Sequence, residues 1–230
     1  MVLAALIAWT AALFPVAALI TPALIIPALI TPALARDVAG EFDFYVLALS
    51  WSPSYCEAEG TSANRDQCAS DKRFRFIVHG LWPQYERGFP QFCPSRQPDR
   101  VPDRLVDTLI DITPSAGLIG HQWRKHGSCS GLSQRDYFAL TRKAREAIRI
   151  PQDFKENENG DYRVTSPQEV ETAFIAANPG LSERAIAVTC DRRRLREVRI
   201  CLSRNLTFRD CPEVDRRACR QSVIVLPPAR

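Results

Sequence analysis

Apolar residues follow two different patterns along this chain. Over residues 1–35 they are almost uninterrupted, and this stretch carries no charge although charged residues make up 24% of the sequence. After it, short apolar runs rich in β-branched and aromatic residues predict strands, and apolar positions spaced three or four apart predict helices. The predicted strands cover residues 43–50, 74–79, 185–190, 195–202 and 222–226. The predicted helices cover residues 103–112, 118–126, 133–148 and 167–177.

Capping residues support two of the predicted helices. Ser133 opens the helix over 133–148, and its hydroxyl can accept a hydrogen bond from the first turn. Ser166 precedes the helix over 167–177, and Pro167 fits the first helical position because that position needs no N–H donor. Helices and strands are grouped along the chain rather than strictly alternating. This order predicts an α+β domain with a central, mainly antiparallel sheet and several packed helices.

The uncharged stretch at 1–35 is typical of a secretory signal peptide. Its end, Ala33-Leu34-Ala35, predicts cleavage after Ala35, just before the charged Arg36. The stretch is longer than most signals, and no Lys or Arg precedes its apolar core. A membrane anchor is the alternative, but prolines would interrupt its helix at Pro15, Pro22, Pro27 and Pro32. We therefore expect a secreted or periplasmic protein with no stable membrane association after cleavage.

The remaining residues, 36–230, are predicted to form a single domain, because no linker rich in Gly, Ser or Pro divides them. All eight cysteines lie there, and an even number in an exported chain indicates a disulfide framework formed in an oxidising compartment. No cysteine pair has the CxxC spacing of a zinc ribbon. The formal charge of +4 also belongs to this domain, and it suits a polyanionic partner.

The three histidines are confined to two short windows, FIVHGLWP at 76–83 and HQWRKHGSC at 121–129. His79, at the end of a predicted central strand, could reach a cleft formed by the second window. Trp82, Tyr85 and Phe89 follow it, and aromatic rings beside a cationic phosphate site commonly hold unpaired bases. Histidines and aromatic residues are also ordinary core residues. Their confinement to two windows nevertheless favours a shared functional site.

A helix over 118–126 would present one polar face. Successive residues advance about 100° around a helix, so the following side chains share that face: His121, Gln122, Lys125 and His126. Gly127 then provides a helix stop. Imidazoles titrate near neutrality, so two of them can act as general base and general acid, and Lys125 can stabilise an oxyanion in the transition state. This set suits phosphoryl transfer without a metal.

A zinc-dependent hydrolase with the three histidines as ligands is the alternative chemistry. The spacing argues against it, because helical zinc ligands of the HExxH type lie four residues apart and enclose a glutamate base. His121 and His126 lie five residues apart with no acidic residue between them. The sequence therefore predicts neither a metal nor a cofactor.

Together, FIVHGLWPQY and HQWRKHGSC resemble the two active-site segments of the ribonuclease T2 family of secreted endoribonucleases. YVLALSWSPSYC at 45–56 and LREVRICLSRNLTFRDC at 195–211 are similar to further segments of that family. The resemblance implies a single-stranded RNA substrate, whose 2′-hydroxyl attacks phosphorus to give a 2′,3′-cyclic phosphate that is hydrolysed to a 3′-phosphate. DNA lacks this hydroxyl and should not be cleaved. We expect a monomer.

The resemblance also implies roles for the catalytic residues. His126 would be the base that takes the 2′-hydroxyl proton, and His79 would be the acid that protonates the departing 5′-oxygen. The two would exchange roles in the second stage. His121 would bind phosphate, and Lys125 would stabilise the pentacovalent phosphorane.

Substrate contacts and disulfides are implied in the same way. Trp82 would stack on the base upstream of the cut, and either Tyr85 or Phe89 would lie on the other side of that base. The implied disulfides are Cys56–Cys68, Cys93–Cys129, Cys190–Cys219 and Cys201–Cys211. The second of these would join the end of the catalytic helix to the loop after Trp82.

One position departs from the family pattern, because Gln122 stands where the family usually has Glu. A glutamine keeps the hydrogen-bonding shape but lacks the charge that favours protonated imidazoles nearby. We expect activity to be retained, with any imidazole pKa that a Glu would support moved downward. The alternative is an RNA-binding or toxin-like secreted protein whose catalysis is weakened by this residue.

Overall fold

A four-stranded antiparallel sheet organises the part of the chain that this computed structural model describes, residues 37–154 and 161–229. Its strands run in the order β2-β1-β5-β4, and β3 and β6 pair separately as a two-stranded antiparallel ribbon. The strands are β1 Phe44–Trp51, β2 Phe76–Gln84, β3 Arg163–Thr165, β4 Ile186–Cys190, β5 Leu195–Leu202 and β6 Ile224–Leu226. The predicted signal peptide, 1–35, lies outside the described residues.

Seven α-helices occur within those described ranges. They are α1 Ser52–Glu59, α2 Arg65–Cys68, α3 Asp103–Val106, α4 Ala116–Lys125, α5 Gln134–Ala147, α6 Pro167–Ala177 and α7 Pro212–Asp215. The α+β fold with a mainly antiparallel sheet is therefore confirmed. None of the helices in these ranges is long and apolar enough to cross a membrane.

The predicted helix caps are confirmed at both positions. The Ser133 hydroxyl accepts a hydrogen bond from the backbone N–H of Asp136 at the start of α5. Ser166 and Glu169 form a reciprocal capping box at the start of α6, where Pro167 occupies the first turn. These local contacts stop each helix from extending backwards into the preceding loop.

Some predicted boundaries were wrong. The helix expected over 103–112 ends at Val106 and continues as turns. The strand expected over 74–79 begins at Phe76 and runs on to Gln84, and the helix α1 was missed altogether. Its sequence, SPSYCEAE, has no apolar periodicity, so periodicity could not predict it. Pro53 lies in the first turn of this helix, and a disulfide joins its Cys56 to Cys68.

The core lies on one face of the sheet, under α5 and α6. In β5 the residues Val198, Ile200 and Leu202 face this core, whereas Glu197 and Arg199 alternate with them and face the opposite side. The α-helices add large buried side chains to the same cluster, including Tyr137, Phe138, Val170 and Phe174. The opposite face of the sheet carries the charged residues of β5 beside a second, smaller apolar cluster that includes Phe44, Val46, Ala187 and Val214.

A β-bulge in β2 decides where its histidine points. Ala48 pairs with Gly80 and Leu49 pairs with Val78, so His79 has no partner on β1. An extra residue of this kind re-aims the side chains around it. As a result Val78 and Leu81, three positions apart, both join the core. The prediction that His79 ends a central strand was wrong, because His79 lies in the middle of β2, at the sheet edge.

All eight cysteines are paired, as Cys56–Cys68, Cys93–Cys129, Cys190–Cys219 and Cys201–Cys211. This is the pairing that the resemblance implies. The bridge from Cys93 to Cys129 joins the loop after β2 to the turn after α4. The loop is also held by a backbone hydrogen bond of 2.9 Å from Phe92 N–H to the carbonyl of Lys125.

Candidate active site

A cavity of about 260 Å³ opens on the face of the sheet opposite the main core. Residues from β1, β2 and β5 line one side of it, and α4, α7 and the loop after β2 complete its walls. All five predicted catalytic residues line this cavity: His79, His121, Gln122, Lys125 and His126. Two windows that lie about forty residues apart in sequence are therefore brought together by the packing of α4 against β2.

The helix α4 supplies the predicted polar face. Its N-terminus is capped by the Ser115 hydroxyl, which accepts a hydrogen bond from Leu118 N–H. Trp123 is buried in the core on the other side of the helix, which directs His121 and Lys125 towards the cavity. His126 follows directly as the C-cap residue.

The role predicted for Gly127 as a helix stop was wrong. The helix already ends at Lys125, and Gly127 does not adopt the left-handed conformation of a C-cap glycine. A Cβ atom at Gly127 would lie only 2.5 Å from Cε3 of Trp123 and 2.8 Å from Cε1 of Tyr137. Glycine is needed there so that these two rings can pack against the backbone that carries His126.

Gln122 is bound to the other window through Trp82. The indole Nε1–H of Trp82 donates a hydrogen bond of 2.7 Å to Gln122 Oε1, and Gln122 is only 4% exposed. A Cβ atom at Gly80 would lie 2.2 Å from that oxygen, so this contact requires a glycine in β2. The amide group of Gln122 thus joins helix and sheet.

Trp82 contacts His126 and Arg199 directly. Its ring stacks on His126 with a centroid distance of 5.2 Å and an interplanar angle of 27°. The Arg199 guanidinium lies 5.3 Å from the Trp82 ring centroid, which is within the range of a cation–π contact. The structure therefore places Trp82 against His126 and Arg199, in addition to lining the cavity where a base was expected to stack.

His126 is held neutral by its surroundings. It is 5% exposed, and this burial, with the charges of Lys125 and the neighbouring histidines, lowers its pKa from 6.5 to about 3. Within the described residues its Nδ1 is buried without a hydrogen-bond partner. A neutral imidazole keeps one lone pair, so His126 is prepared to accept a proton.

His79 has a contrasting environment. Its Nδ1 is hydrogen-bonded to the carboxylate of Glu197, which is 6% exposed. Arg199 donates two further hydrogen bonds to that carboxylate, of 2.9 Å from Nε and 2.7 Å from Nη2. Burial alone would raise the pKa of Glu197, but the hydrogen bond and charge of His79 and the charge of Arg199 outweigh it and lower that pKa to about 2.

Glu197 and Arg199 were not identified from the sequence as site residues, although the signal was present. In LREVRICL the charged Glu197 and Arg199 alternate with Val198 and Ile200, so both must lie on the face of β5 opposite the core. Charged side chains are rarely buried unless they are paired. A Glu and an Arg two residues apart on one face of a strand whose other face is apolar therefore indicated a buried ion pair.

The remaining predicted residues differ in position. Phe89 lines the cavity, with its ring centroid 5.9 Å from that of His126 and 6.0 Å from Lys125 Nζ. Tyr85 does not line it, and its hydroxyl donates a hydrogen bond of 3.3 Å to Asp37. Partial burial and the charges of Lys125 and Arg124 lower the pKa of His121, which is the most exposed of the histidines.

The far wall of the cavity was not foreseen from the sequence. It consists of Glu213, Val214 and Arg217, in and just after α7. Arg217 lies 3.3 Å from Glu213 and is largely exposed. Nowhere in residues 37–154 and 161–229 do three or more His, Cys, Asp or Glu side chains come together in a group that could hold a metal ion.

The fold and this cavity define a disulfide-bonded α+β protein in which a buried imidazole and a carboxylate-bound imidazole lie beside a lysine. A sequence profile of the ribonuclease T2 family matches residues 42–211. The chain belongs to the ribonuclease T2 family. Glu213, Val214 and Arg217 lie beyond the matched residues.

Individual relatives agree with this assignment. The chain is 42% identical over 117 residues to a ribonuclease of Aeromonas hydrophila, a match that covers 51% of each protein. It is 27% identical over 201 residues to ribonuclease DdI of Dictyostelium discoideum, covering 80% of this chain and 84% of that protein. The chain thus spans about half of the length of the Aeromonas relative and most of the length of the Dictyostelium relative.

Solved structures share the fold. An RNase-related protein from Calystegia sepium superposes with a TM-score of 0.64 at 21% identity, covering 83% of this chain and 99% of that protein. RNase NT, solved in complex with 5′-AMP, superposes with a TM-score of 0.56 at 25% identity, covering 82% of this chain and 99% of that protein.

Proposed function

We propose that this protein is a metal-independent endoribonuclease that cleaves single-stranded RNA. The observation that carries the proposal is the pairing of a buried, neutral His126 with a His79 that is hydrogen-bonded to a carboxylate, both on the wall of one cavity. Imidazoles in such different environments can hold opposite protonation states at one pH. That is the requirement for a general base and a general acid that act in the same step.

The first stage is a transesterification. The imidazole of His126 takes the proton of the ribose 2′-hydroxyl, and the 2′-oxygen forms a bond to the adjacent phosphorus. The bond from phosphorus to the 5′-oxygen breaks, and His79 gives its proton to that oxygen. The product is a 2′,3′-cyclic phosphate, and each histidine is left in the protonation state that hydrolysis of the cyclic phosphate needs.

Positive charge in the cavity supports this reaction. Lys125 is placed to stabilise the extra negative charge on the phosphorane oxygens, because a fixed cation is worth most where water is excluded. His121, at the open side of the cavity, is assigned to the phosphate. Phe89 is the aromatic residue assigned to a base, since Tyr85 lies outside the cavity.

An RNA-binding protein without catalysis is the second candidate. Gln122 favours it, because the usual glutamate is replaced and the Gln122 oxygen is already occupied by Trp82. Such a protein would bind single-stranded RNA and leave it intact. The two candidates differ in product, not in affinity.

The test uses purified enzyme, a dinucleoside monophosphate and an excess of EDTA. We expect a 2′,3′-cyclic phosphate followed by a 3′-phosphate, and no cleavage when the attacking 2′-hydroxyl is replaced by hydrogen. His79→Ala and His126→Ala should each lower kcat by about 100-fold or more. Tyr85→Phe, outside the cavity, is the matched control. Binding of the RNA with no cyclic product would reject catalysis, and loss of activity in EDTA would point to a metal hydrolase.

The same proposal covers the biological context. We propose that 1–35 is a signal peptide removed after Ala35, and that 36–230 is an exported catalytic domain that acts as a monomer in an oxidising compartment. Support comes from the uncharged leader and from four disulfides in the described residues. N-terminal sequencing of the exported protein should begin at Arg36, and an intact leader would reject the cleavage.

A further inference from the structure

We propose that Glu197 and Arg199 are positioning residues for the general acid, so that β5 supplies the carboxylate that the catalytic helix lacks. This inference rests on the proposed ribonuclease activity. His79 is the bulged residue of β2, so the sheet ladder itself does not fix its orientation. The hydrogen bond from Nδ1 to Glu197 fixes the ring and leaves Nε2 as the nitrogen that can deliver a proton to the leaving oxygen.

Arg199 holds Glu197 in place. Its two hydrogen bonds go to Oε2, whereas the contact with His79 is made through Oε1, so the two oxygens of one carboxylate have separate partners. A planar guanidinium bound in this forked way restricts rotation of the carboxylate. Since both residues point from the same face of β5, the rigid strand sets the position of the acid.

Arg199 also connects the acid to the base. Its guanidinium lies over the ring of Trp82, and Trp82 stacks on His126. A continuous series of contacts therefore runs from His79 through Glu197, Arg199 and Trp82 to His126. These five side chains contact one another without a bound ligand, so the acid and base are arranged before RNA binds.

Charge is the second contribution of Glu197. The fixed cations Lys125 of α4 and Arg199 of β5 line the cavity, together with His121, the neutral His126 and the paired Glu213 and Arg217 of the α7 segment. The buried carboxylate of Glu197 is the anion in direct contact with His79, so it provides an opposite charge for an imidazolium at that position.

Two substitutions separate orientation from charge. Glu197→Gln keeps the size of the side chain but removes the charge. Because Arg199 would donate its hydrogen bonds to the amide oxygen of the new glutamine, the amide NH₂ group would face His79. The alkaline limb of the kcat/KM profile should therefore move to lower pH by about one unit. Glu197→Ala removes both contributions and should lower kcat on a dinucleoside monophosphate by about 100-fold, with KM changed less than about twofold.

The leaving group provides a readout that a merely structural role would not change. A nucleoside 3′-(p-nitrophenyl phosphate) releases a stable phenolate and needs no general acid. On this substrate Glu197→Ala should cost less than about threefold, because only the proton donor has been misplaced. The matched control is Glu171→Gln, a half-buried carboxylate on α6 that accepts a hydrogen bond from Val188 N–H away from the cavity. It should leave both substrates unaffected.

The outcomes are distinct. A large loss on the dinucleoside monophosphate with little loss on the p-nitrophenyl ester supports the inference. Equal losses on both substrates, or unchanged activity and pH profile in both Glu197 variants, would overturn it while leaving the ribonuclease activity in place. An unmodified enzyme that cleaves neither substrate would overturn the proposed function and this inference with it. Thermal unfolding of each variant shows whether it is folded.

Discussion

Gln122 affects both the contact between α4 and β2 and the charge around His126. As an amide it accepts a hydrogen bond from Trp82 without placing a charge beside the histidines. His126 consequently has only cationic and histidine neighbours contributing to its low pKa, in addition to burial. A base with a pKa of about 3 is always available, but it is a weak proton acceptor. Gln122 therefore favours availability of the base over its strength.

Replacing this amide by a carboxylate should strengthen the base. Gln122→Glu should raise the pKa of His126, because the protonated imidazolium gains an opposite charge nearby. The base must be unprotonated to act, so the acid limb of the kcat/KM profile should move to higher pH by about one unit, and kcat at neutral pH should increase. Profiles of the two enzymes measured in parallel provide the test.

The control for this change is Gln168→Glu, the same substitution at an exposed position of α6. It should leave the pH profile unaltered. Superimposable profiles for the original enzyme and Gln122→Glu would show that charge at this position does not reach His126.

At the scale of the elements, periodicity predicted which side chains share a face of a helix or a strand. The face of α4 that carries His121 and Lys125 follows from the helical repeat, and the alternation of β5 follows from a period of two. The bulge at His79 could not be predicted in this way, because it depends on pairing with β1. Glu197 and His79 lie 118 residues apart, so only the folded sheet shows that they meet.

The disulfide between Cys93 and Cys129 should matter for both stability and activity. It closes a loop with a sequence separation of 36 residues, for which the loss of chain entropy corresponds to about 4 kcal/mol of stability. It also fixes the loop after β2 to the end of α4, close to Lys125. Replacing both cysteines by serine should therefore lower the urea midpoint and also lower kcat/KM.

The matched control is the pair Cys56–Cys68, which closes a loop with a separation of 12 residues and does not line the cavity. Its replacement should cost about 3 kcal/mol by the same relation and leave kcat/KM of the folded enzyme nearly unchanged. Equal activity in the two double-serine variants would show that the first bridge does not organise the site.

On the scale of the whole molecule, the site depends on placing groups of opposite character around one cavity. In the proposed mechanism the sheet provides the acid together with its carboxylate, and α4 with its C-cap residue His126 provides the lysine and the base. The two histidines have different neighbours, because His79 contacts the anionic Glu197 whereas burial and the cationic and histidine neighbours of His126 lower the pKa of His126. The same arrangement couples the fold to pH.

Acid should destabilise the protein in two overlapping ranges. The folded state resists protonation of His126, whose pKa falls from 6.5 to about 3, so the unfolded chain binds more protons as the pH drops below 6.5. Glu197, whose pKa falls from 4.5 to about 2, contributes stability that is present above 4.5 and is lost as the pH falls towards 2. The free energy of unfolding should therefore decrease steadily on acidification.

His126 affects the higher part of this pH range, so replacing His126 measures its contribution to the pH dependence of the free energy of unfolding. His126→Asn removes the titrating group, so the slope of unfolding free energy against pH should become shallower between about pH 6 and pH 5, by at most about 1.4 kcal/mol per pH unit. Urea midpoints across this range measure the slope. His121→Asn is the control, since that exposed histidine should contribute less. An unchanged slope in His126→Asn would mean that His126 takes up its proton as readily in the folded protein as in the unfolded chain. The conclusion that burial lowers the pKa of His126 would then be wrong.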